Sequence, residues 1–366
     1  MRALIVTFDP PEKVGGVEGR LGGYVKELIR MKQFVEVESF HPSHRLSSAE
    51  FNGAMLYECP SDLRHLPGMY SFTMKRMKES RIDSIFLLSG GLTALGLLVL
   101  LSCRLTGRRS AMLLYGKDVL QARRRFIGGL LLRASTALAD RVLTNSRFTA
   151  SLVPFVRGGK IRTLYPGVDP AVAAGTDAPP SGSGKRVLFV GRLIKRKGVK
   201  DLLDAFRILS DEVPDASLEV VGDGPERGEL ERLATDLGLG SRVSFMGTMR
   251  GPPLYQRYTA CQVLAMPSIT LGDDVEGFGT VFLEAGLFGK PSVGTFSGGI
   301  PEAIAANETG LLVHEGHVEE IAAALKRILT DPELALSLGQ NARTRVLTEF
   351  TWAESAKQLV ASLVSR

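Results

Sequence analysis

Two glutamates, Glu276 and Glu284, are the acidic side chains of this 366-residue sequence whose spacing best suits binding of a sugar or a nucleotide. Glu276 stands just before a predicted helix that begins near Gly279 and Thr280, and Glu284 lies one to two turns inside that helix. A carboxylate at Glu284 can accept hydrogen bonds from both hydroxyls of a ribose. The first amides of a helix lack partners within it and attract anions. The amides of Gly279 and Thr280 are therefore expected to be exposed and to bind an α-phosphate.

Two cations flank a short loop after the predicted strand 186–190. Arg192 and Lys197 can hold a diphosphate between them, and arginine can contact it through two parallel hydrogen bonds. The pair predicts a diphosphate site, and a solvated basic turn is the alternative. A further turn at 297–302 is expected to begin a helix on the same face, with Pro301 near the first helical position.

A glycine-rich segment, 14–24, follows the first predicted strand and leads into a helix. Glycines let backbone amides approach a phosphate or a sugar closely at the positive end of a helix. The segment lacks the Gly-Lys-Ser/Thr of a Walker loop and is not a dinucleotide-binding fingerprint. It indicates an anion or sugar site without identifying the ligand.

The elements that must position these residues alternate between strand and helix in both halves of the chain. Because such alternation is typical of parallel, doubly wound sheets, the sequence predicts an α/β fold of two Rossmann-like domains. Ligands of such sheets bind outside the carboxyl ends of the strands, so the site is predicted in a central cleft that both domains face. A linker is expected at 176–184. The predicted strands are 3–8, 34–39, 54–58, 85–88, 111–115, 141–144, 186–190, 217–221, 243–246, 263–266, 292–294 and 310–313, and helices are expected at 22–31 and 124–137.

Composition excludes several classes of protein. Apolar residues make up 44% and charged residues 23% of the chain, which excludes wholesale disorder. The three cysteines are far apart and odd in number, and the N-terminal apolar run is too short for a signal peptide, so the predicted location is the cytoplasm. The longest apolar stretch, 82–105, is divided by Gly90 and Gly91 into a strand and a helix too short to cross a bilayer. A buried helix is predicted there, and a helix that touches lipid is the alternative.

Charge is distributed unevenly along the chain. Residues 1–165 contain 25 Lys and Arg against 13 Asp and Glu, whereas the remaining residues contain 20 and 26. A basic front half suits an anionic membrane surface or a phosphorylated substrate, and a merely solvated face is the alternative. Binding of nucleic acid is disfavoured because no recognisable DNA- or RNA-binding pattern accompanies the basic residues.

No metal site is predicted. His41 and His44 lie in a predicted loop without further ligands and are interpreted as solvated. Asp273 and Asp274 only approach an Asp-x-Asp motif and are interpreted as part of a polar loop.

Motifs between 187 and 313 resemble those of a known family. They are Phe-Val-Gly-Arg-Leu followed by Lys-Gly, then Gly-Asp-Gly-Pro, Met-Pro-Ser, two glutamates with seven residues between them, and Gly-Gly-Ile-Pro-Glu. In these motifs and their order the chain resembles the retaining GT-B glycosyltransferases of family 4, the glycosyl transferases group 1. The resemblance covers nearly the whole chain. It implies transfer of a sugar from a nucleotide-diphosphate donor to a hydroxyl acceptor, with no metal or other cofactor required.

The resemblance also implies roles for single residues of the second half. Arg192 and Lys197 would bind the donor diphosphate, and Glu284 would bind its ribose. Glu276 would meet the hydroxyls of the transferred sugar, and the amides at the start of the next helix would meet the phosphates.

In the first half, the resemblance implies that Gly16 approaches the reacting diphosphate. Gly15, Arg20 and Asp118 are the candidates on the acceptor side. Where the family usually has histidine, this sequence has Tyr115, which can donate one hydrogen bond but cannot be a cation near neutral pH. This departure leaves the identity of the transferred sugar open at this position.

Residues 1–170, with a return helix at 351–366, are predicted to bind the acceptor, and residues 171–350 to bind the nucleotide sugar. Trp352 is placed near the hinge or in the core of the first domain. The basic first domain favours a lipid-linked or glycan acceptor at the cytosolic face of the membrane, and a soluble acceptor remains open. Two other functions remain open as well: a non-hydrolysing nucleotide-sugar epimerase of the same fold, and a non-catalytic nucleotide-sugar-binding or membrane-binding protein.

Overall fold

A computed structural model describes residues 1–8, 18–40, 47–59, 66–89, 91–157, 159–174 and 185–364. The chain divides into two compact units. The first unit combines Met1–Gly167 with Trp352–Arg366, and the second is Val168–Thr351. The histidine pair at 41 and 44 and the expected linker at 176–184 lie outside the described residues.

Strands and helices alternate through most of the described chain. The strands are β1 (Arg2–Thr7), β2 (Phe34–Phe40), β3 (Ser47–Phe51), β4 (Ala54–Cys59), β5 (Ser84–Leu87), β6 (Arg109–Leu114), β7 (Arg141–Thr144), β8 (Ile161–Thr163), β9 (Lys185–Val190), β10 (Ala216–Val221), β11 (Val243–Gly247), β12 (Val263–Ala265), β13 (Ser292–Thr295) and β14 (Gly310–Val313). The helices are α1 (Glu18–Arg30), α2 (Leu66–Glu79), α3 (Ala94–Thr106), α4 (Gly116–Arg124), α5 (Phe126–Leu138), α6 (Arg147–Ser151), α7 (Val199–Glu212), α8 (Arg227–Asp236), α9 (Pro252–Ala260), α10 (Thr280–Leu287), α11 (Ile300–Ala303), α12 (Val318–Thr330), α13 (Pro332–Glu349) and α14 (Trp352–Val364).

The first unit is built on a sheet with the strand order β3-β4-β2-β1-β5-β6-β7-β8. Every pairing in it is parallel except that of β3 with β4. Side chains of a strand alternate between the two faces, so Leu4 and Val6 enter one apolar cluster and Ile5 enters the other. Helices α3 and α5 cover the first face, and α1 and α14 cover the second. Apolar side chains on both faces explain the continuous hydrophobic runs of these strands.

Helix α14 belongs to the first unit although it follows the second along the chain. The first residue of α14, Trp352, packs against Gly23 of α1. The Trp352 indole ring occupies the space that a Cβ on residue 23 would need. The Tyr24 hydroxyl and the Ser355 hydroxyl are 2.9 Å apart, and the Tyr24 ring contacts the Trp352 ring edge to face. Trp352 therefore has a packing role in the first unit.

The second unit is built on a fully parallel sheet with the order β11-β10-β9-β12-β13-β14. The carboxyl ends of β9 and β13 lead into the two loops that carry the predicted basic pair and the 297–302 turn. Parallel strands place these loops at one edge of the sheet. The order of the elements thus gathers residues that are about a hundred positions apart in the chain.

The predicted α/β class is confirmed, and some local expectations are corrected. Strand β3 was not anticipated: it pairs antiparallel with β4 through a turn in which Asn52 and Gly53 have positive φ. The helix expected at 124–137 is α5, which begins two residues later because Arg125 is extended, with φ −104° and ψ 130°. Helix α4, which ends at Arg124, was not anticipated. The apolar helix after Gly91 is α3, and none of the described helices has both the length and the hydropathy to cross a membrane.

Candidate functional site

Glu276 is the centre of a cluster of charged side chains in the second unit. Lys197 donates a hydrogen bond to its Oε2 from Nζ at 2.6 Å, and Arg196 donates another to the same oxygen at 2.7 Å. The Arg196 Nε also lies 3.3 Å from the Asp274 carboxylate. The side chains of Lys197, Arg196 and Glu276 are only 12–13% exposed, so these ion pairs are largely screened from water.

The charge state of Glu276 follows from its surroundings. Burial raises the pKa of a carboxyl group, but the Lys197 ammonium and the Arg196 guanidinium outweigh it and lower the pKa of Glu276 to about 2. Glu276 is therefore an anion at neutral pH. Lys197 and Arg196 are balanced by the carboxylates of Glu276 and Asp274, so this cluster has no excess of positive charge. What it can offer a diphosphate is N–H donors, from Lys197 here and from the neighbouring Arg192.

Loop geometry holds both sides of this cluster. On one side, a short helical turn at Lys195–Lys197 follows β9 and places Arg196 and Lys197 next to Glu276. On the other side, the Gly299 amide donates a hydrogen bond to the Glu276 carbonyl at 3.0 Å. Gly298 has φ 52°, and a Cβ there would lie 2.1 Å from the same carbonyl oxygen. Only glycine fits this contact, so the 297–302 turn positions the backbone of Glu276.

The start of α10 follows Glu276 by a few residues. Gly279 is its N-cap residue, with φ 85°, and no side chain among the described residues caps the helix. Gly279 is buried as a residue, and the Phe282 ring lies 2.7 Å from the position that a Cβ would take. The expected exposure of its backbone amide stays a prediction. Thr280 is half-buried. The first turn of α10 keeps the uncapped amides that attract an anion.

Glu284 is held by a tyrosine that sequence reasoning missed. The Tyr258 hydroxyl of α9 donates a hydrogen bond to Glu284 Oε2 at 2.5 Å. Burial raises the pKa of Glu284, and the hydrogen bond from Tyr258 opposes part of that rise. The Tyr258 ring is itself buried and stacks on Phe288 at an interplanar angle of 11°. A rigid, buried aromatic ring thus orients the carboxylate predicted to bind ribose.

The predicted residues are not all in contact with one another. The structure brings Lys197 onto Glu276, whereas Glu284 contacts Tyr258 instead and Arg192 is exposed in the loop after β9. Arg196 was missed because a run of three adjacent bases does not show which of them face inward. The interpretation of Asp274 as part of a polar loop is incomplete, since it contacts Arg196.

In the first unit, Tyr115 and Arg20 lie together. The Arg20 guanidinium is 4.9 Å from the centre of the Tyr115 ring, and Arg20 is only 5% exposed. Tyr115 immediately precedes α4, and Asp118 is exposed in the first turn of that helix. The predicted residues Gly15 and Gly16 lie outside the described residues.

Metal-binding side chains are not clustered in the part of the chain that the structure describes. No group of three or more His, Cys, Asp or Glu residues able to hold a metal ion occurs there. The three cysteines are buried and unpaired, and burial raises the pKa of each thiol to about 12. Such thiols are unreactive near neutral pH.

Comparison with known proteins gives concordant results. The family model described as "Glycosyl transferases group 1" matches residues 177–345. Over 99% of its length the chain is 32% identical to the GDP-mannose-dependent alpha-(1-6)-phosphatidylinositol monomannoside mannosyltransferase of Mycolicibacterium smegmatis, of which it covers 98%.

Solved structures share the fold over the whole chain. Anabaena HepE in complex with UDP superposes with a TM-score of 0.80 at 22% identity, and the match covers 100% of both chains. Sucrose-phosphate synthase from Thermosynechococcus elongatus superposes with a TM-score of 0.78 at 22% identity and 98% coverage of both chains. At this level of identity the likeness shows the fold, which is GT-B.

Proposed function

Because this chain belongs to the glycosyl transferases group 1 family, as its motifs predicted, we propose that it transfers mannose from GDP-mannose to a phosphatidylinositol-type glycolipid. The observation that carries this proposal is the 32% identity to the Mycolicibacterium smegmatis mannosyltransferase, which extends over 99% of this chain. The name of that relative supplies both the donor and the acceptor class. The alternatives of an epimerase and of a non-catalytic binding protein have no comparable support.

The second unit is proposed to bind the donor. In this proposal Arg192 and Lys197 contact the diphosphate, Glu284 accepts hydrogen bonds from the ribose, and the first amides of α10 contact a phosphate oxygen. Lys197 has three N–H donors, so it can keep its bond to Glu276 and still bind phosphate. Both cations of the cluster bond to Oε2 of Glu276. The other carboxylate oxygen, Oε1, is thereby left to accept a hydroxyl of the transferred sugar.

Transfer is proposed to proceed with retention of configuration and without a metal ion. The bond from the anomeric carbon to the diphosphate oxygen breaks, and the bond from that carbon to the acceptor oxygen forms on the same face. The hydroxyl proton of the acceptor passes to the departing phosphate oxygen. Lys197, Arg192 and the helix amides stabilise the charge that grows on the leaving group, an effect of several kcal/mol for preorganised donors, roughly 3–4 kcal/mol for one.

The first unit is proposed to bind the acceptor at the cytoplasmic face of the membrane, with Gly15, Gly16, Arg20, Tyr115 and Asp118 on the acceptor side. The contact between the Arg20 guanidinium and the Tyr115 ring supports a shared role for these two side chains. Arg20 is almost fully buried and carries a permanent charge, which suits an anionic group of the acceptor.

The proposal is tested by incubating the protein with GDP-mannose and a phosphatidylinositol mannoside dispersed in detergent. We expect mass spectrometry to detect a glycolipid that is heavier by one hexose, and NMR to show an α-linkage. Activity should persist in EDTA, and Glu284→Ala should raise the KM for GDP-mannose, whereas the exposed control Glu333→Ala should not. Formation of an epimerised nucleotide sugar, or of no product with any lipid acceptor, would contradict the proposal.

A further inference from the structure

The outward face of α5 carries large apolar side chains where surface helices normally carry polar ones. Phe126 is 90% exposed, Ile127 71% and Leu130 61%. Leu132 and Ser135, on the opposite face of the same helix, are buried in the first unit. Single exposed apolar residues are common, but three neighbours on one helix face form a patch that indicates an interaction surface.

The corner between α4 and α5 holds this patch outward. Arg125 is extended, so α5 starts at the residue directly after it and turns back on α4. A Cβ at Gly128 would lie 2.7 Å from the Ala122 carbonyl oxygen, so glycine allows the first turn of α5 to pack directly on the α4 backbone. The contact between the first turn of α5 and α4 is therefore made by backbone atoms at Gly128 and Ala122. Phe126 and Ile127 remain on the outer side of the corner, where they are exposed.

Positive charge surrounds the apolar side chains. Residues 123–125 are three consecutive exposed arginines that directly precede Phe126. Arg133 lies one turn beyond Leu130 and is also exposed. Between positions 91 and 139 the sequence has eight Lys and Arg residues and a single acidic residue, Asp118. The patch therefore combines apolar side chains with an excess of basic ones.

Helix α3 packs beside α5 and extends the same pattern. Its side chains Leu101 and Leu105 are 41% and 77% exposed, and the exposed Arg104 lies between them. We name these residues together the α3–α5 surface: Leu101, Arg104, Leu105, Arg123, Arg124, Arg125, Phe126, Ile127, Leu130 and Arg133.

We propose that the α3–α5 surface docks on an anionic lipid bilayer, with the apolar side chains among the acyl chains and the arginines at the headgroup phosphates. A bilayer interface accommodates both features, because it offers an apolar layer directly beneath a negatively charged one. A second copy of the chain fits less well, since two such surfaces would bring like charges together. The inference rests on the proposed function only in placing the acceptor at a membrane, and it goes beyond that function by naming the surface that docks.

Docking is tested first by flotation with vesicles, without any nucleotide sugar. We expect the protein to float with phosphatidylcholine vesicles that contain 30% phosphatidylglycerol, and to float much less with phosphatidylcholine alone. The triple variant Phe126→Ser, Ile127→Ser, Leu130→Ser should lower the partition coefficient more than tenfold. The matched control is Leu336→Ser, whose side chain is 62% exposed on α13. Thermal unfolding curves establish that each variant is folded.

The charged part of the surface has its own variants. Arg123→Gln and Arg125→Gln should each weaken binding to anionic vesicles about fivefold at physiological ionic strength. The controls Arg232→Gln and Arg327→Gln remove exposed arginines of the second unit and should change binding little. The loss should be smaller at high salt, because screening already weakens the wild-type attraction.

Insertion is measured with Phe126→Trp. Its fluorescence should shift to the blue with anionic vesicles and be quenched by brominated acyl chains, whereas Leu336→Trp should show neither effect. Equal flotation of the triple variant and the Leu336 control would overturn the proposal, and so would a concentration-dependent dimer that only the triple variant abolishes. A chain that floats but transfers no sugar would contradict the proposed function alone. A chain that transfers sugar in detergent but does not float would contradict only the docking surface.

Discussion

Tyr258→Phe tests whether Glu284 must be oriented by its hydrogen bond from Tyr258 in order to bind the donor. The substitution leaves Glu284 itself unchanged. The change removes one oxygen atom from a buried ring and keeps the stacking on Phe288. It also removes the donor that lies 2.5 Å from the Glu284 carboxylate. A hydrogen bond to a charged group contributes about 1.5–3 kcal/mol, so its loss leaves a buried carboxylate without its donor.

The expected kinetic result is a rise in the KM for the donor of about tenfold, with a smaller change in kcat. About 1.4 kcal/mol of lost ribose binding corresponds to that factor. The hydrogen bond from Tyr258 opposes the effect of burial on the pKa of Glu284, so that pKa should rise further in the variant. Since the ionised carboxylate accepts the ribose hydroxyls more strongly, donor affinity should fall off at a higher pH in Tyr258→Phe than in the wild type.

Stability provides an independent readout with a defined sign. The pKa of Glu284 is higher in the folded chain than in the unfolded one, so its contribution to stability is fully present below the unfolded pKa and is lost as pH rises through the folded pKa. Tyr258→Phe should extend this loss to higher pH. Chemical denaturation across the pH range measures the effect.

Tyr255→Phe is the matched control. Tyr255 lies one turn earlier in α9 and also contacts the Phe288 ring, at a centroid distance of 5.8 Å, but its hydroxyl is not the one bonded to Glu284. Nucleotide titration and steady-state kinetics should therefore change little in this variant. If Tyr258→Phe and Tyr255→Phe share the same donor KM and the same pH profile, the reasoning about Glu284 is refuted.

Three further predictions concern ionisable side chains. Glu276→Gln should lower the free energy of unfolding at pH 7 by about 3 kcal/mol, because it leaves Lys197 without its buried anion, and denaturation with Glu333→Gln as control measures this loss. Because the pKa of Glu276 is lowered to about 2, the contribution of its charge is present above the unfolded pKa and should disappear as pH falls through about 2. Arg192→Ala should lower kcat about a hundredfold and weaken binding of GDP less, and equal losses in both would count against a role in stabilising the leaving group. Glu38 of β2 is fully buried and accepts a hydrogen bond from the Thr73 hydroxyl of α2. Burial raises the pKa of this carboxyl to about 8, so wild-type stability should decline as pH rises from about 4.5 to 8. Glu38→Gln should remove that decline and stabilise the chain by about 3 kcal/mol at pH 7, and an unchanged slope in denaturation experiments would disprove the assignment.

The alternating elements were predictable because their signals are local. Strands such as Arg141–Thr144 and Gly310–Val313 match the predicted ranges, since a short apolar run bounded by polar residues has few other uses in an α/β chain. The antiparallel strand β3 was missed because its sequence, Ser-Ser-Ala-Glu-Phe, is exposed and has no apolar alternation. The start of α5 was predicted two residues too early because no glycine or proline marks the extended residue Arg125.

Among the candidate site residues, too, those with a local sequence signal were predictable and those defined only by packing were not. The two glutamates and the basic loop could be selected because their residue types and spacing suit a nucleotide sugar and match the motifs of the family. Tyr258 could not be selected, because an aromatic residue within a helix has the same pattern whether it only packs or also orients a carboxylate. Its role depends on the packing of α9 against α10 and against Phe288, which follows α10.

The sequence by itself determined the α/β class, the family and the residue types that suit a nucleotide sugar, because these depend on composition, local periodicity and motif spacing. The tertiary structure alone decided that Lys197 and Arg196 share one oxygen of Glu276, about 80 positions away, and that Tyr258 holds Glu284. It also decided that Phe126, Ile127 and Leu130 face outward. Such pairings and orientations arise when segments that are distant in the sequence pack together. The spacing of residues within one segment does not specify which residues of another segment will contact it.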